Sequence, residues 1–309
     1  MSQSTLTRPA SPTPATSAKS SVRRRRTDRA FYIMLLPAVA LFSFFLVLPA
    51  LVGVFFSLTN YAGYGPWKFI GIGNYQAMLD DPAILRSYGF TFFFAIVTVV
   101  VVNIGALSIA LGLNAKIKWR TGIRTIFFIP MVLSTIVIAY VFNYLFSTTL
   151  PGLAESLGLK SLASSLLGSE NWAWVAVVFV TAWQAIPGAT IIYLAGLQAV
   201  PGEVYEAARL DGAGAWRQFR SITLPLIIGY VIINMILGFK GFLGSYEIAL
   251  ALTAGGPGEA TTTVVMRIFG GLSGGDYSYQ MANSVVFFAI TVIISLIQIR
   301  ILTRKGLSL

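Results

Sequence analysis

Several side chains suited to binding a polar ligand lie within long apolar stretches of this sequence: Trp183, Gln184, Asn234, Lys240, Tyr246, Glu247 and Asn283. Polar groups are costly in such stretches unless they face the protein interior or water, so they mark a candidate ligand path. Amides exchange hydrogen bonds with hydroxyl groups, and aromatic rings cover the apolar faces of pyranoses. The set therefore predicts a path for a polyhydroxylated solute.

Hydrogen bonding between helices is the alternative role for the amides, and it contributes roughly 0.6 kcal/mol per contact in membrane proteins. For any single Asn, including Asn103 and Asn143, both roles stay open. For Trp183, Gln184 and the polar residues between Asn234 and Glu247, we favour the ligand path.

The apolar stretch 223–252 is the most informative, because glycines at positions 238, 241 and 244 recur every three residues. Small residues let a neighbouring helix approach closely, and glycine-interrupted helices bend beside binding sites. Lys240 and Glu247 are seven residues apart, which on a continuous helix places them two turns apart on one face. They could then share a hydrogen-bond network, although Lys240 also leaves open an anionic substrate such as a sugar phosphate.

Most catalytic chemistry is excluded by composition. The chain has no Cys and no His, which removes thiol chemistry, disulfides, the usual general base and the commonest metal ligand. It also has no phosphate-binding Gly-x-x-x-x-Gly-Lys-Ser/Thr motif. Acidic residues predicted to lie outside the membrane look scattered: Asp80, Asp81, Glu155, Glu170, Glu259 and Asp276. We therefore expect neither enzymatic activity nor a cofactor held by this chain.

The elements that position these residues are long apolar helices. The mean hydropathy is +0.77, and only 11% of the residues are charged, which is typical of an integral membrane protein. A membrane-crossing helix needs about 20 residues. The sequence predicts an all-α fold with six spans, at about 31–58, 88–114, 123–147, 172–198, 223–252 and 281–303.

The net charge of +11 is explained by topology. With a cytoplasmic N-terminus, 17 of the 22 Lys and Arg residues fall in cytoplasmic segments, as the positive-inside rule expects. Both termini are therefore predicted to be cytoplasmic. Residues 1–30 are predicted to form a disordered basic tail, and residues 31–309 are predicted to form the membrane domain. The run Arg23–Arg26 serves as an orientation anchor or, alternatively, recruits anionic lipid.

Residues 203–222 form the longest polar insert in the second half of the chain. Glu206, Ala207 and Ala208 favour a helix, and Gly212 and Gly214 tolerate the backbone conformation that ends one. A second helix then leads into Leu224 and Pro225. The sequence predicts a compact helix–turn–helix whose small residues let a partner surface approach closely.

The spacing within this insert resembles the coupling-helix motif of ATP-binding-cassette import permeases: Glu-Ala-Ala, three residues, Gly, nine residues, Ile-x-Leu-Pro. Two further elements resemble the carbohydrate-uptake branch of that family. Phe69-Ile70-Gly71-Ile72-Gly73-Asn74-Tyr75 is similar to its Phe-x-Gly-x-x-Asn-Tyr element. The loop Leu252-Thr253-Ala254-Gly255-Gly256-Pro257 is similar to the corresponding loop of maltose-type sugar permeases, although an ordinary tight turn also accounts for its glycines.

The resemblance implies the type I importer permease fold in a prokaryotic cytoplasmic membrane. It also implies four partners: a second related permease, two ATPase subunits that hold ATP and Mg²⁺, and an external sugar-binding protein. Glu206, Ala207, Ala208 and Gly212 would couple ATPase motion to alternating access: Glu206 as a polar contact or cap, the alanines for close fit and Gly212 for the turn. The expected substrate is a di- or oligosaccharide or a related polyol.

Three alternatives remain at this stage. The chain could serve another importer of the same family, including one for glycerophosphate-type substrates. It could be a secondary transporter, which predicts ionisable residues in several spans and similarity between the halves. A purely structural membrane scaffold is the third option, but it accounts for neither the coupling motif nor the polar path.

Overall fold

The structure is a computed structural model that describes residues 29–115, 119–159 and 164–304. Within these ranges the regular secondary structure is helical, as predicted, apart from an isolated bridge between Thr59 and Phe69, and turns and loops connect the helices. The first seven α-helices are α1 (Arg29–Phe42), α2 (Leu48–Phe56), α3 (Gly73–Leu79), α4 (Pro82–Asn114), α5 (Arg120–Val132), α6 (Thr135–Tyr144) and α7 (Leu150–Ser156). The others are α8 (Ala173–Gln198), α9 (Gly202–Leu210), α10 (Ala215–Gln218), α11 (Leu224–Leu226), α12 (Ile228–Leu243), α13 (Glu247–Thr253), α14 (Val264–Ser273) and α15 (Tyr277–Arg304).

The chain divides into two compact units, residues 1–50 and 51–309. In the first unit, α1 continues through a π-helical turn at Ser43–Val47 into the start of α2. Residues 1–28 of the predicted tail are outside the described residues, and this part includes Arg23–Arg26. α1 begins at Arg29, two residues before the predicted first span.

Five helical stretches are long and apolar enough to cross a membrane: Tyr32–Phe56, Pro82–Asn114, Thr135–Ser156, Ala173–Gln198 and Tyr277–Arg300. Counting the bent pair Ala215–Leu226 and Ile228–Leu243 as one span gives six. The number of spans therefore agrees with the sequence prediction over the described residues, but the second and sixth spans begin earlier than predicted, at Pro82 and Tyr277, and the third and fifth are interrupted.

The third span is not the continuous helix predicted at 123–147. α5 ends at Val132, and Leu133 and Ser134 adopt extended conformations before α6 begins. The long helical stretch runs from Thr135 to Ser156. Hydropathy could not locate this break, because both sides of it are apolar.

The fifth span, predicted at 223–252, is broken twice. The pair of helices meeting at Ile227 is bent by 66°, and α12 ends at Leu243, before Gly244. Residues 244–246 then separate α12 from α13. Pro225 lacks the amide hydrogen that would continue the helix from residue 221, and Gly244 caps the end of α12.

The core of the second unit lies where α4, α8 and α12 pack together. Small side chains line this contact and are almost fully buried: Ala95, Ala106, Ala110, Ala176 and Ala182. Small residues let membrane helices approach closely, which increases their van der Waals contact. α4 is 33 residues long, and it connects two surfaces that lie at its opposite ends.

Candidate functional site

The predicted coupling region folds as α9, a tight turn and α10, which we call the α9–α10 segment (residues 202–218). Its turn is a Schellman motif: Ala213 N–H donates to the Ala208 carbonyl at 2.9 Å, and Gly212 N–H donates to the Arg209 carbonyl at 3.0 Å. Gly212 has φ +70°, a conformation that favours glycine. The predicted helix–turn–helix and the role of Gly212 in its turn are confirmed.

Gly214 has a different role from the predicted one. Its φ is −68° and its ψ is 166°, an extended conformation that any residue adopts. It is the N-cap residue of α10 and does not terminate α9. Both glycines face open space, because no atom lies within 4 Å of where either Cβ would stand.

Side-chain hydrogen bonds support the α9–α10 segment and hold it to the helical turn that follows. Within the segment, Gln218 Nε2 donates to the Ala213 carbonyl at 2.7 Å and so supports the turn. The hydroxyls of Tyr205 and Thr223 share a hydrogen bond of 3.0 Å, which joins α9 to the π-helical turn Phe219–Thr223. The segment is thus tied to the turn that leads directly into α11.

The exposed face of the segment differs in part from the predicted contact surface. Glu206 and Ala207 are exposed, but Ala208 is buried within the chain itself, so it supports the segment and cannot touch a partner. Glu206 is not a helix cap, because α9 begins at Gly202 and its first-turn acid is Glu203. Two large apolar side chains that the motif did not indicate also lie at the surface: Leu210 and Trp216, which are 90% and 71% exposed.

Three predicted path residues form hydrogen bonds between helices, and a role for them in the ligand path stays a prediction. Asn234 is buried, and its Nδ2 donates to the Ala189 carbonyl of α8 at 3.1 Å. Gln184 Nε2 donates to the Leu133 carbonyl at 3.2 Å and to Thr135 Oγ1 at 3.1 Å, which satisfies backbone at the break in the third span. The fully buried Asn283 accepts a hydrogen bond from Tyr88 of α4 at 3.0 Å. These amides supply interhelical contacts, the alternative role left open above.

Trp183 lies beside Phe142 with its ring centroid 5.3 Å away. It borders an apolar cavity between α8 and α5, lined also by Ile129, Pro130 and Pro187. A substrate contact for Trp183 therefore stays a prediction.

Lys240 and Glu247 do not lie on one continuous helix, so the expected two-turn spacing is wrong. α12 ends three residues after Lys240, and Glu247 begins α13. Both side chains are exposed. Neither forms an ion pair with any residue that the structure describes.

Tyr246 lies in the break before α13, where its ring centroid is 5.3 Å from that of Phe269. Both rings line a cavity of about 590 Å³ that also contains Asp81, Arg267, Asp276 and Gln280. We call it the Gln280 cavity. Asp81 and Asp276 therefore share one cavity, so the view of the outer acids as scattered is wrong for these two.

Hydrogen bonds and charges order the acidic groups at this cavity. Asp81 caps α4 by accepting from the Ala83 N–H at 2.8 Å, and it accepts from the Tyr279 hydroxyl at 2.9 Å. Burial raises the pKa of Asp81, but these hydrogen bonds and the charge of Arg267 outweigh burial and lower it below the usual value. The hydrogen bond from Arg267 lowers the pKa of Glu259, which pairs with that guanidinium at 2.8 Å.

The two loops singled out by sequence are both folded turns. Asn74 Nδ2 donates at 2.8 Å to the carbonyls of both Ser57 and Thr59, which fixes the loop that contains Phe69. In the glycine-rich loop, the Thr253 and Thr261 hydroxyls share a hydrogen bond of 2.6 Å, and a Cβ on Gly255 would stand 2.5 Å from Thr262 Oγ1. The tight-turn interpretation accounts for that loop.

The sequence and the fold both match known transport proteins. Residues 104–304 match the family described as binding-protein-dependent transport system inner membrane component. The multiple sugar-binding transport system permease protein MsmF of Streptococcus mutans is 34% identical, with 83% of this chain and 89% of MsmF aligned. The trehalose/maltose transport system permease protein MalF of Thermococcus litoralis is 33% identical, with 87% and 92% aligned.

A solved structure has the same fold. It is a chain of a bacterial alginate transporter of the ATP-binding-cassette class, crystallised in complex with an alginate pentasaccharide-bound periplasmic protein. Its TM-score is 0.77 at 20% identity, over 91% of this chain and 96% of that one. The predicted type I importer permease fold is confirmed by this similarity.

Proposed function

The chain belongs to the family of binding-protein-dependent transport system inner membrane components, and from this premise we propose that it is a permease subunit of an ATP-driven sugar importer. The proposed substrates are di- or oligosaccharides or related polyols, and the relatives named for multiple sugars and for trehalose and maltose support this class. The ion-gradient alternative has no support from a family defined by dependence on a binding protein.

The observation that carries this proposal is the α9–α10 segment. It projects between two membrane-spanning elements, its shape is fixed by a Schellman turn, and Leu210 and Trp216 remain exposed on it. Exposed aromatic and aliphatic side chains on a rigid support are typical anchors of a protein–protein contact. Such a surface suits a separate motor subunit better than it suits lipid or solvent.

We propose that an ATPase subunit docks on this segment and that ATP binding moves it as a rigid body. The Tyr205–Thr223 hydrogen bond would pass the motion to α11 and α12, which already meet at 66°. The spans would then alternate between inward-open and outward-open arrangements, with sugar delivered by the external binding protein. ATP and Mg²⁺ would be held by the ATPase subunits, with no cofactor in this chain and both termini cytoplasmic.

The test is purification of this chain from its native membrane in mild detergent, followed by identification of what accompanies it. We expect a second permease and an ATPase subunit in a fixed ratio, and ATP hydrolysis that rises when sugar-loaded binding protein is added. Purification of the chain alone, together with ion-dependent sugar uptake in vesicles, would overturn the proposal.

A further inference from the structure

The Gln280 cavity lies at the opposite end of α4 from the α9–α10 segment, and nothing in the coupling proposal uses it. Asp81 marks the first end of α4, whereas Asn114 at the other end lines a groove with Arg209 and Trp216. Its volume of about 590 Å³ falls within the range of small-molecule sites, about 300–1,000 Å³.

Gln280 supplies an unused hydrogen-bond donor to this cavity. The residue is only 3% exposed, and its Oε1 accepts from Asn283 Nδ2 at 3.1 Å. Its Nε2 donates to no group in the part of the chain that the structure describes. Within the described part of the chain, this Nε2 is accessible from the cavity and has no partner, so it can donate to a hydroxyl acceptor.

Gly271 makes room for that amide. A Cβ at this position would collide with Gln280 Nε2 and stand 2.5 Å from its Cγ. Any side chain larger than glycine would therefore displace the amide. The conformation of Gln280 thus depends on the neighbouring backbone of α14.

The opposite wall provides the second element of carbohydrate recognition. The rings of Tyr246 and Phe269 are tilted by 38° with centroids 5.3 Å apart, and both border the cavity. Aromatic faces cover the apolar C–H surface of a pyranose, while amides and carboxylates bind its hydroxyls. Asp276 lies one helical turn before Gln280 and is exposed, so its carboxylate is available to accept from a hydroxyl.

The charges favour a neutral ligand. Arg267 is the one cation among the described residues lining the cavity; Glu259 pairs with its charge at 2.8 Å, while its Nε has no hydrogen-bond partner among those residues. An anionic ligand would meet the carboxylates of Asp81 and Asp276 instead, and like charges repel. The charges at this cavity therefore differ from those around Lys240, the residue that suggested an anionic substrate.

We propose that the Gln280 cavity binds one pyranose ring of a neutral di- or oligosaccharide, in addition to any site within the spans. This assignment rests on the proposed function and specifies its substrate class. Gln280 donates to a ring hydroxyl, Asp276 accepts from another, and Tyr246 and Phe269 cover the apolar face of the sugar.

Binding is tested by saturation-transfer difference NMR on the assembled importer without its binding protein. Trehalose and maltose are the neutral probes, and sn-glycerol 3-phosphate is the anionic probe. We expect sugar signals with the wild type, and affinity about tenfold weaker in Gln280→Leu and in Tyr246→Ala. The matched controls Gln76→Leu and Tyr64→Ala change exposed residues of the same types and should bind as the wild type does.

Three outcomes would overturn the assignment: no sugar signal, equal signals in all variants, or a stronger signal from sn-glycerol 3-phosphate than from the sugars. Gln280→Leu also removes the hydrogen bond to Asn283 and could weaken binding through a structural effect. Tyr246→Ala keeps that bond, so weaker binding in this variant cannot have that cause. The same preparations are assayed for the co-purified ATPase. If the ATPase and sugar uptake are intact but the variants bind normally, the cavity assignment alone fails; if the ATPase is absent, the proposed function fails.

Discussion

The two ends of α4 carry surfaces built in different ways. Near Asn114, the α9–α10 segment satisfies its own turn with backbone hydrogen bonds and leaves Leu210 and Trp216 exposed. Near Asp81, the Gln280 cavity is concave, has both polar and apolar lining groups, and leaves an amide donor unused. A helix of 33 residues separates them by about 50 Å.

This difference indicates a division of tasks. A preformed convex surface with large apolar side chains suits a rigid protein partner, since little ordering is needed on binding. A concave surface with an unpaired donor and two aromatic rings suits a small hydroxylated ligand. Substitutions at one end should therefore leave the other end intact, and the following predictions examine that independence.

The largest effect is expected from Gly212→Asp. Its φ of +70° makes an L side chain strained, and the carboxylate would project from the turn into the docking surface. We expect sugar uptake to fall about 30-fold, the loss of about 2 kcal/mol typical of a central contact residue, with normal amounts of protein in the membrane. Gly214→Asp is the matched control, because it adds the same charge without strain and should keep most of the uptake. Equal losses in the two variants, or loss of Gly212→Asp from the membrane, would contradict a coupling role for Gly212.

Trp216→Ala is expected to have the next largest effect. The indole is 71% exposed, so its removal hardly affects the fold, but it removes an anchor for the partner. Affinity for the ATPase subunit should fall about tenfold, which corresponds to about 1.4 kcal/mol, as measured by the ATPase retained in pull-downs. Trp172→Ala, at 58% exposure and just before α8, should retain the ATPase fully. If Trp216→Ala did so too, the docking surface would have to lie elsewhere.

At the other end, Asp81→Ala should reduce stability without changing the coupling. The substitution removes the cap of α4 and the acceptor of the Tyr279 hydroxyl, so we expect a loss of about 1 kcal/mol. Thermal unfolding of the purified complex measures it, and the ratio of ATP hydrolysed to sugar imported should not change.

Acidification should have the same effect as Asp81→Ala. Because the folded-state pKa of Asp81 lies below its usual 3.8, the stabilisation from its carboxylate is complete above that value. It disappears as the pH falls through the lowered pKa. Asp81→Asn should lack this component of the acid dependence, and an unchanged profile in Asp81→Asn would show that the carboxylate does not contribute it.

The smallest effect is expected from Asn234→Leu. This change removes the hydrogen bond to the Ala189 carbonyl but keeps the volume nearly constant. Interhelical hydrogen bonds contribute about 0.6 kcal/mol, so the melting temperature should fall slightly and the KM for sugar should not change. A clear rise in KM would return Asn234 to the ligand path.

The sequence alone predicted the parts of this fold that depend on local pattern. Apolar length located the spans, and the spacing around Gly212 located the coupling turn, because a left-handed residue after a helix favours glycine. The glycines at 238, 241 and 244 indicated a bend but not where the helix ends, and the break at Leu133 could not be located because apolar residues flank it. Those breaks separate Lys240 from Glu247 and place Tyr246 at a cavity.

Long-range contacts account for the remaining differences between the sequence predictions and the structure. Gln184 bonds to Leu133, 51 positions away, and Asn283 bonds to Tyr88 at a separation of 195 positions. Residue type identifies such amides as polar groups in lipid, but only their partners show that they cross-link helices. The Gln280 cavity was missed for the same reason, because α4, α13, α14 and α15 each contribute part of its wall.

The most direct test uses the importer reconstituted in proteoliposomes, with uptake and ATP hydrolysis followed together as sugar-loaded binding protein is titrated. The division of tasks predicts that Gly212→Asp lowers the maximal uptake and raises the ATP consumed per sugar. Gln280→Leu should instead weaken the sugar dependence while the ATP-to-sugar ratio stays at the wild-type value. If both substitutions changed the same parameter, the two ends of α4 would not act separately, and the account would be wrong.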